Sequence, residues 1–152
     1  GWGTPPPEGR FRGIALAESF QTFVAQVAEV SVGDGGVKVH KVVCAVDCGV
    51  PINPDNIRAQ MEGGIGFGLG HILYADIAIE DGRPVPGNFD TYRSLRIDEM
   101  PEIQVTIVAS TEKPSGVGEP GVPPIGPAVA NAMAKLGQTR PRQLPIVPGA
   151  SA

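Results

Sequence analysis

Glu119 is the one carboxylate in this chain whose neighbours prepare it for chemistry. It lies in Gly116-Val117-Gly118-Glu119-Pro120-Gly121, where glycines let a ligand approach the backbone and proline stiffens the chain. A carboxylate on such a loop, between a strand end and a helix start, works as a general base if a substrate proton comes within hydrogen-bond reach. It is a solvated charge if none does. The other candidates are weaker. His40 and His71 have no second histidine or acidic partner at i+4, so they read as packed or surface imidazoles and not as a zinc site. Cys44 and Cys48 are too few for a four-thiolate iron-sulfur cluster and read as buried thiols. The run Gly64-Ile65-Gly66-Phe67-Gly68-Leu69-Gly70 fails as a dinucleotide fingerprint, because Leu69 stands where the third glycine is required and no strand precedes it.

The elements that must hold Glu119 follow from hydrophobic period and turn chemistry. A strand is expected over Gly13 to Ser19 and a second over about Ala25 to Val32, whose alternation slips once near Ala25 to Ala28, as a bulge would make it do. Gly33-Asp34-Gly35-Gly36 then turns a hairpin into Val37 to Val46, read as strictly alternating through Val39, Lys41, Val43 and Ala45. Asn53-Pro54 reads as an N-cap and first-turn proline, starting a helix that runs to Leu73 with Ile57, Met61, Ile65, Leu69 and Ile72 on one face. Gly63, Gly64, Gly66, Gly68 and Gly70 each cost that helix about 1 kcal/mol relative to Ala. Either another backbone or a flat ligand must therefore approach it closely. Tyr74 to Glu80 is expected as a strand, Asp81-Gly82 as a turn, Pro84 to Arg96 as irregular chain, and Glu102 to Ala109 as a strand. A last helix is expected from about Ile125 to Leu136, ended by Gly137. The sum is an α+β fold, a mixed sheet with β-hairpins packed against two main helices.

Composition narrows the function. The 152 residues suit one domain over 1–152, with 1–8 as a flexible lead-in and 147–152 as a tail. Sixteen acidic against twelve basic residues give a net charge of −4 without a run of Lys or Arg, which disfavours nucleic acid. No apolar run approaches the ~18 residues of a membrane span. The start at Gly1, without Met, is that expected of a fragment or processed product.

Three ordered motifs carry a resemblance. Val46-Asp47-Cys48-Gly49-Val50-Pro51-Ile52-Asn53-Pro54, then Gln60-Met61-Glu62-Gly63-Gly64 continuing to Gly70, then Gly116 to Gly121 together resemble the C-terminal part of the molybdenum-binding subunit of the xanthine oxidase family. Within it, Ala28 to Val32, Val42 to Gly49, Arg58 to Gly64 and Leu144-Pro145-Ile146 are most similar to the isoquinoline 1-oxidoreductase large-subunit branch. The resemblance implies a C-terminal lobe of a molybdopterin-binding domain and a hydroxylase of an N-heteroaromatic or aldehyde, with water as the oxygen source. It implies molybdopterin cytosine dinucleotide as cofactor, its dithiolene holding the molybdenum, so that the protein need supply no metal ligand.

By the same resemblance Glu119 matches the glutamate that takes a proton from a hydroxyl ligand of the metal, and Gln60 the glutamine near the metal ligands and pterin. Gly63, Gly64, Gly118 and Gly121 would let the cofactor lie against backbone. The implied partners are an N-terminal portion of the molybdenum subunit, a small subunit carrying the iron-sulfur clusters, and a small-molecule substrate. Alone, the chain is expected to be half a site and inactive, with apolar surface bared around Gly63 to Gly70. The alternative is a non-catalytic lobe that only binds a partner. Cytoplasm and periplasm both stay open.

Overall fold

The computed structural model describes residues 1–137 and 140–146, so the tail expected at 147–152 lies outside the described residues. Four strands form one sheet: β1 (Phe11–Ser19), β2 (Thr22–Gly33), β3 (Gly36–Asp47) and β6 (Glu102–Ile107), side by side in that order. The first three are antiparallel and β6 is parallel to β3, so the sheet is mixed as expected. A parallel neighbour requires a long crossover, and the chain between β3 and β6 supplies it through helix α1 (Pro54–Tyr74). A minor hairpin, β4 (Ile79–Glu80) with β5 (Arg83–Pro84), and one 3-10 turn at Ile97–Glu99 complete that crossover. Helix α2 (Ile125–Lys135) follows β6.

Helix α1 begins where the sequence says it must. Asn53 is extended, and its side-chain oxygen accepts a hydrogen bond from the Asn56 amide at 3.0 Å, with Pro54 next in the first turn. Its buried residues Ile57, Met61, Ile65, Leu69 and Ile72 recur at helical spacing and meet Val24, Ala28 and Val30 of β2, Val42, Cys44 and Val46 of β3, and Ile125, Val129 and Met133 of α2 in one core. Both helices thus cover one face of the sheet. Helix α2 seats on β1 at Gly13, where a Cβ would stand 2.1 Å from the Ala128 carbonyl oxygen, and Asn131 Nδ2 donates to the Ile14 carbonyl at 2.9 Å beside it.

The phase of the hairpin differs from the sequence expectation. β2 keeps its alternation unbroken, with Thr22, Val24, Gln26, Ala28 and Val30 all buried on the helix side. The irregularity belongs to β3: Val30 pairs with Val39 but Glu29 with Lys41, so His40 is the extra residue and the inward series jumps from Val39 to Val42, Cys44 and Val46. A glutamine at an inward position of β2 disguised the phase. Of the strand expected over Tyr74 to Glu80 only Ile79–Glu80 forms, since α1 continues to Tyr74, whose hydroxyl donates to Glu99 at 2.8 Å and whose ring lies under the Arg93 guanidinium.

The face of the sheet away from the helices is open to solvent. Ile14, Val27, Val43 and Gln104 share one rung across the four strands and Leu16, Ala25, Ala45 and Thr106 another, with Ile14, Leu16 and Val43 exposed. A further rung, Arg12, Glu29, Lys41 and Glu102, alternates in sign, and ion pairs join Arg12 to Glu29 at 2.8 Å and Lys41 to Glu102 at 3.1 Å. Apolar surface is therefore bare on this face, and around Gly63 to Gly70 it is bare in part, with Gly63 and Phe67 exposed while other elements cover Gly64, Gly66, Gly68 and Gly70. Residues 1–8 run to the same end: Arg12 donates to the Gly1 and Thr4 carbonyls, and Trp2 lies under the Lys135 ammonium. Among the described residues no helix is long and apolar enough to cross a membrane.

Candidate functional site

The Gly116–Gly121 loop is fastened at both ends to the buried face of β2. Thr22 Oγ1 donates to the Gly116 carbonyl at 2.6 Å and lies 2.7 Å from Ser115 Oγ. Gln26 Nε2 donates to the Gly121 carbonyl at 2.8 Å, in the interior. Between these points the Val122 amide donates to the Glu119 carbonyl at 2.9 Å, a tight turn that leaves the Glu119 side chain exposed. The base candidate is thus a solvent-facing carboxylate on an immobilised backbone.

Helix α1 meets the same loop through glycine. A Cβ on Gly64 would stand 3.3 Å from Gly121 Cα, and a Cβ on Gly121 would stand 3.2 Å from the Met61 carbonyl oxygen, so helix and loop touch backbone to backbone. Gln60 precedes Met61 and Glu119 lies two residues before Gly121, so each exposed residue is a neighbour in sequence of this contact. The five α1 glycines now separate by role. Gly64 meets the loop, Gly66 meets the Met100 side chain, Gly68 meets Ile125 and Val122, and Gly70 meets Leu95. At Gly63 nothing lies within 4 Å of a Cβ, and the same holds at Gly118. Of the four glycines carried over from the resemblance, Gly64 and Gly121 are buried in contact with protein, while Gly63 and Gly118 offer bare backbone to the surroundings.

The turn between β3 and α1 flanks this junction. Cys48 accepts from the Ser115 amide through its carbonyl and Val50 donates to the Glu112 carbonyl, both at 3.0 Å, while the Asp47 carboxylate accepts from the Gly49 amide at 3.1 Å. Both cysteines are free and buried. Burial pushes the Cys44 thiol up to about 12, and burial together with the charge of Asp47 raises Cys48 as well. Neither is poised as a nucleophile.

His40 and His71 stay outside the junction. His40 Nε2 pairs with Ser31 Oγ at 2.8 Å, and His71 Nδ1 with the Phe67 carbonyl at 2.8 Å. A cavity of about 620 Å³, lined by Gly68, His71, Val122, Gly126, Arg140 and Leu144, opens between the helices and the closing segment, and it includes neither Glu119 nor Gln60. Thr22 and Gln26 escaped the sequence reading. Their signal was a polar side chain at positions of β2 whose period demands an apolar one.

Among the described residues no group of three or more His, Cys, Asp or Glu could hold a metal ion. The donors present suit a different kind of group, one that brings its own metal ligands and rests on exposed glycine backbone and a side-chain amide. Gly63, Gly118 and Gln60 offer these features, and a Cβ at either glycine would take up the open space. The residues fit a molybdopterin.

Comparison with known proteins agrees. Residues 10–101, more than half of the chain, match the family profile described as molybdopterin cofactor-binding domain. The chain belongs to that family. Among curated relatives of this molybdopterin cofactor-binding domain, isoquinoline 1-oxidoreductase subunit beta of Brevundimonas diminuta is 37% identical over 142 residues, covering 92% of this chain and 18% of the relative. A membrane-bound aldehyde dehydrogenase of Gluconacetobacter polyoxogenes, named with pyrroloquinoline quinone, is 37% identical over 154 residues, covering 97% of this chain and 20% of its own. The domain thus spans about a fifth of the length of these relatives. Quinoline 2-oxidoreductase from Pseudomonas putida 86 shares the fold with a TM-score of 0.68 over 82% of this chain and 17% of its own, at 23% identity. The xanthine oxidase family resemblance of the three motifs is borne out, and so is the mixed α+β architecture.

Proposed function

We propose that this chain forms part of a molybdenum hydroxylase in which Glu119 is the general base, Gln60, Gly63 and Gly118 form the protein side of the cofactor contact, and Gly64 and Gly121 close helix on loop behind it. The observation that carries the reading is the junction itself, an exposed carboxylate on a doubly fastened loop that touches the Gln60 segment backbone to backbone. When bound, the cofactor supplies the electron-accepting metal and the oxygen, derived from water, that is delivered to substrate.

The chain's own residues do the rest. Glu119 would receive a proton on its carboxylate, and the turn closed by the Val122 amide on the Glu119 carbonyl holds the backbone from which that side chain projects. Gln60 presents amide donor and acceptor to the cofactor's polar edge. Gly63 and Gly118 give planar groups access to backbone, whereas Gly64 and Gly121 serve the same site from behind by letting helix and loop close on each other. The substrate class we favour is an N-heteroaromatic or aldehyde, the cofactor form is the cytosine dinucleotide, and the iron-sulfur clusters sit on a separate small subunit. These follow from the motif resemblance and from the names of the relatives.

Glu119→Gln in the assembled, molybdenum-loaded protein tests the reading, because the amide keeps shape and cannot take the proton. Turnover falls by about three orders of magnitude or more with molybdenum and released cytidine monophosphate at wild-type levels. Unchanged turnover would sink the assignment and leave a non-catalytic, partner-binding lobe. The name of the Gluconacetobacter relative raises a second cofactor, and the same analysis discriminates: a quinone in place of molybdenum and nucleotide would replace the cofactor proposed.

A further inference from the structure

We propose that Gln26 is a positioning residue for Glu119, acting through the Gly121 carbonyl; the proposal rests on the reading of Glu119 as the base. Gln26 is wholly buried among Val24, Ala28, Val42 and Cys44, where Thr22 is the other wholly buried polar residue among those described. Its Nε2 donates to the Gly121 carbonyl oxygen at 2.8 Å, 95 residues away in sequence, and the side chain also interacts with the Cys44 thiol, its neighbour across the hairpin. Its Oε1 is buried with no hydrogen-bond partner among the described residues. An unpartnered buried oxygen costs about 1–3 kcal/mol, and an apolar side chain of the same shape would avoid that cost. As a stabiliser of the sheet, Gln26 is therefore a poor choice. As a donor to one chosen carbonyl, it is the right length and lies in the right place.

Geometry shows what that donor controls. Thr22 and Gln26 lie four residues apart on one face of an extended strand, about 13 Å at the usual rise per residue. The loop they hold runs five steps along the chain from Gly116 to Gly121, about 17 Å when fully drawn out, and the turn at Glu119 shortens it further. Little slack remains. With Gln26 in place the Glu119 backbone is confined from both sides. Without it, the Gly121 end loses its bond to β2 and rests on the van der Waals contacts of Gly121 with Met61 and Gly64 and of Val122 with Gly68. An error of about 1 Å in the place of a catalytic group is enough to lose about two orders of magnitude in rate.

The test is made in the assembled, molybdenum-loaded protein with Gln26→Met and Gln26→Leu, which keep the apolar volume and remove the donor, beside Glu119→Gln. We expect kcat per bound molybdenum to fall about tenfold to hundredfold with KM within about twofold, because an interaction felt only through the base leaves substrate binding alone. The acid limb of the kcat–pH profile moves. The Val122 amide, which donates to the Glu119 carbonyl, exchanges with deuterated solvent faster than in wild type. Gln26→Glu restores most of the loss at neutral pH, since a carboxyl buried there stays protonated and its O–H again donates to Gly121. Wild-type kcat, pH profile and exchange in Gln26→Met, with Glu119→Gln inactive, overturn the role of Gln26 and leave the base intact. Unaltered turnover in Glu119→Gln instead overturns the reading on which the proposal rests. Joint loss of fold and molybdenum in both apolar variants would make Gln26 a requirement of core stability and overturn the positioning role too.

Discussion

Gly49 stands with its backbone against the carbonyl of Lys113: a Cβ added at Gly49 would lie 2.1 Å from that oxygen, at a φ of +72°. The turn between β3 and α1 and the chain that leads from β6 into the Glu119 loop are thus in direct backbone contact. Hydrogen bonds from Ser115 to Cys48 and from Val50 to Glu112 flank the point of approach.

Gly49→Ala should therefore be doubly unfavourable, in backbone conformation and in steric overlap. We expect a loss of at least about 3 kcal/mol, read from the midpoint of urea unfolding. A variant within about 0.5 kcal/mol of wild type would mean that the two segments part easily.

Glu29 links acidity to stability. Burial pulls its carboxyl upward, but hydrogen bonds from Arg10 and Arg12, helped by their charges, outweigh that and hold it below the usual carboxylate range. A group lowered on folding stabilises the native state above its unfolded pKa, and that contribution is lost as the pH falls through the folded value. Glu29→Gln should accordingly cost about 1–2 kcal/mol at pH 7, a figure reduced because Arg10 is partly solvated. The gap between the variant and wild type should close as the pH is taken below about 4. Parallel pH–stability curves from circular dichroism melts would contradict the ion-pair account.

The two thiols should be silent in the folded protein. Cys44 is fully buried and titrates at about 12, and Cys48 is buried and raised by the same cause and by Asp47. At pH 8 iodoacetamide should leave both intact over hours and alkylate both in denaturant, as counted by mass. Fast modification of either in native buffer would show that the β3–α1 turn opens.

Much of this fold was legible because local chemistry and tertiary structure agree. Asn53-Pro54 starts a helix wherever the chain is placed, Gly33 to Gly36 turns a hairpin, and Gly137, with φ of +76°, stops α2 as glycine stops helices. The α1 glycines announced a close approach without naming the visitor, since a missing side chain records that something comes near and not what. The structure shows protein at Gly64, Gly66, Gly68 and Gly70 and leaves only Gly63 open. Hairpin phase was misread at Gln26 for a related reason. Period arguments assume that inward means apolar, and a buried amide serving a distant carbonyl breaks that assumption where the sequence offers no sign of the carbonyl. Glu119 was visible through its glycine and proline neighbours, but the residues that fasten its loop lie nearly a hundred positions upstream.

That separation has a consequence for biosynthesis. The bonds from Thr22 and Gln26 to the loop join residues 94 and 95 apart. Contacts of such range bring the entropic cost of closing a long loop before any reward, and they form late. The β1–β3 meander can assemble while the ribosome is still making α1, but the Glu119 loop has nothing to fasten until its own residues emerge. A nascent chain would thus present a sheet that is already paired and a Glu119 loop that is not yet fastened. Fixing of that loop would be a late step in the folding of this domain and not an early one.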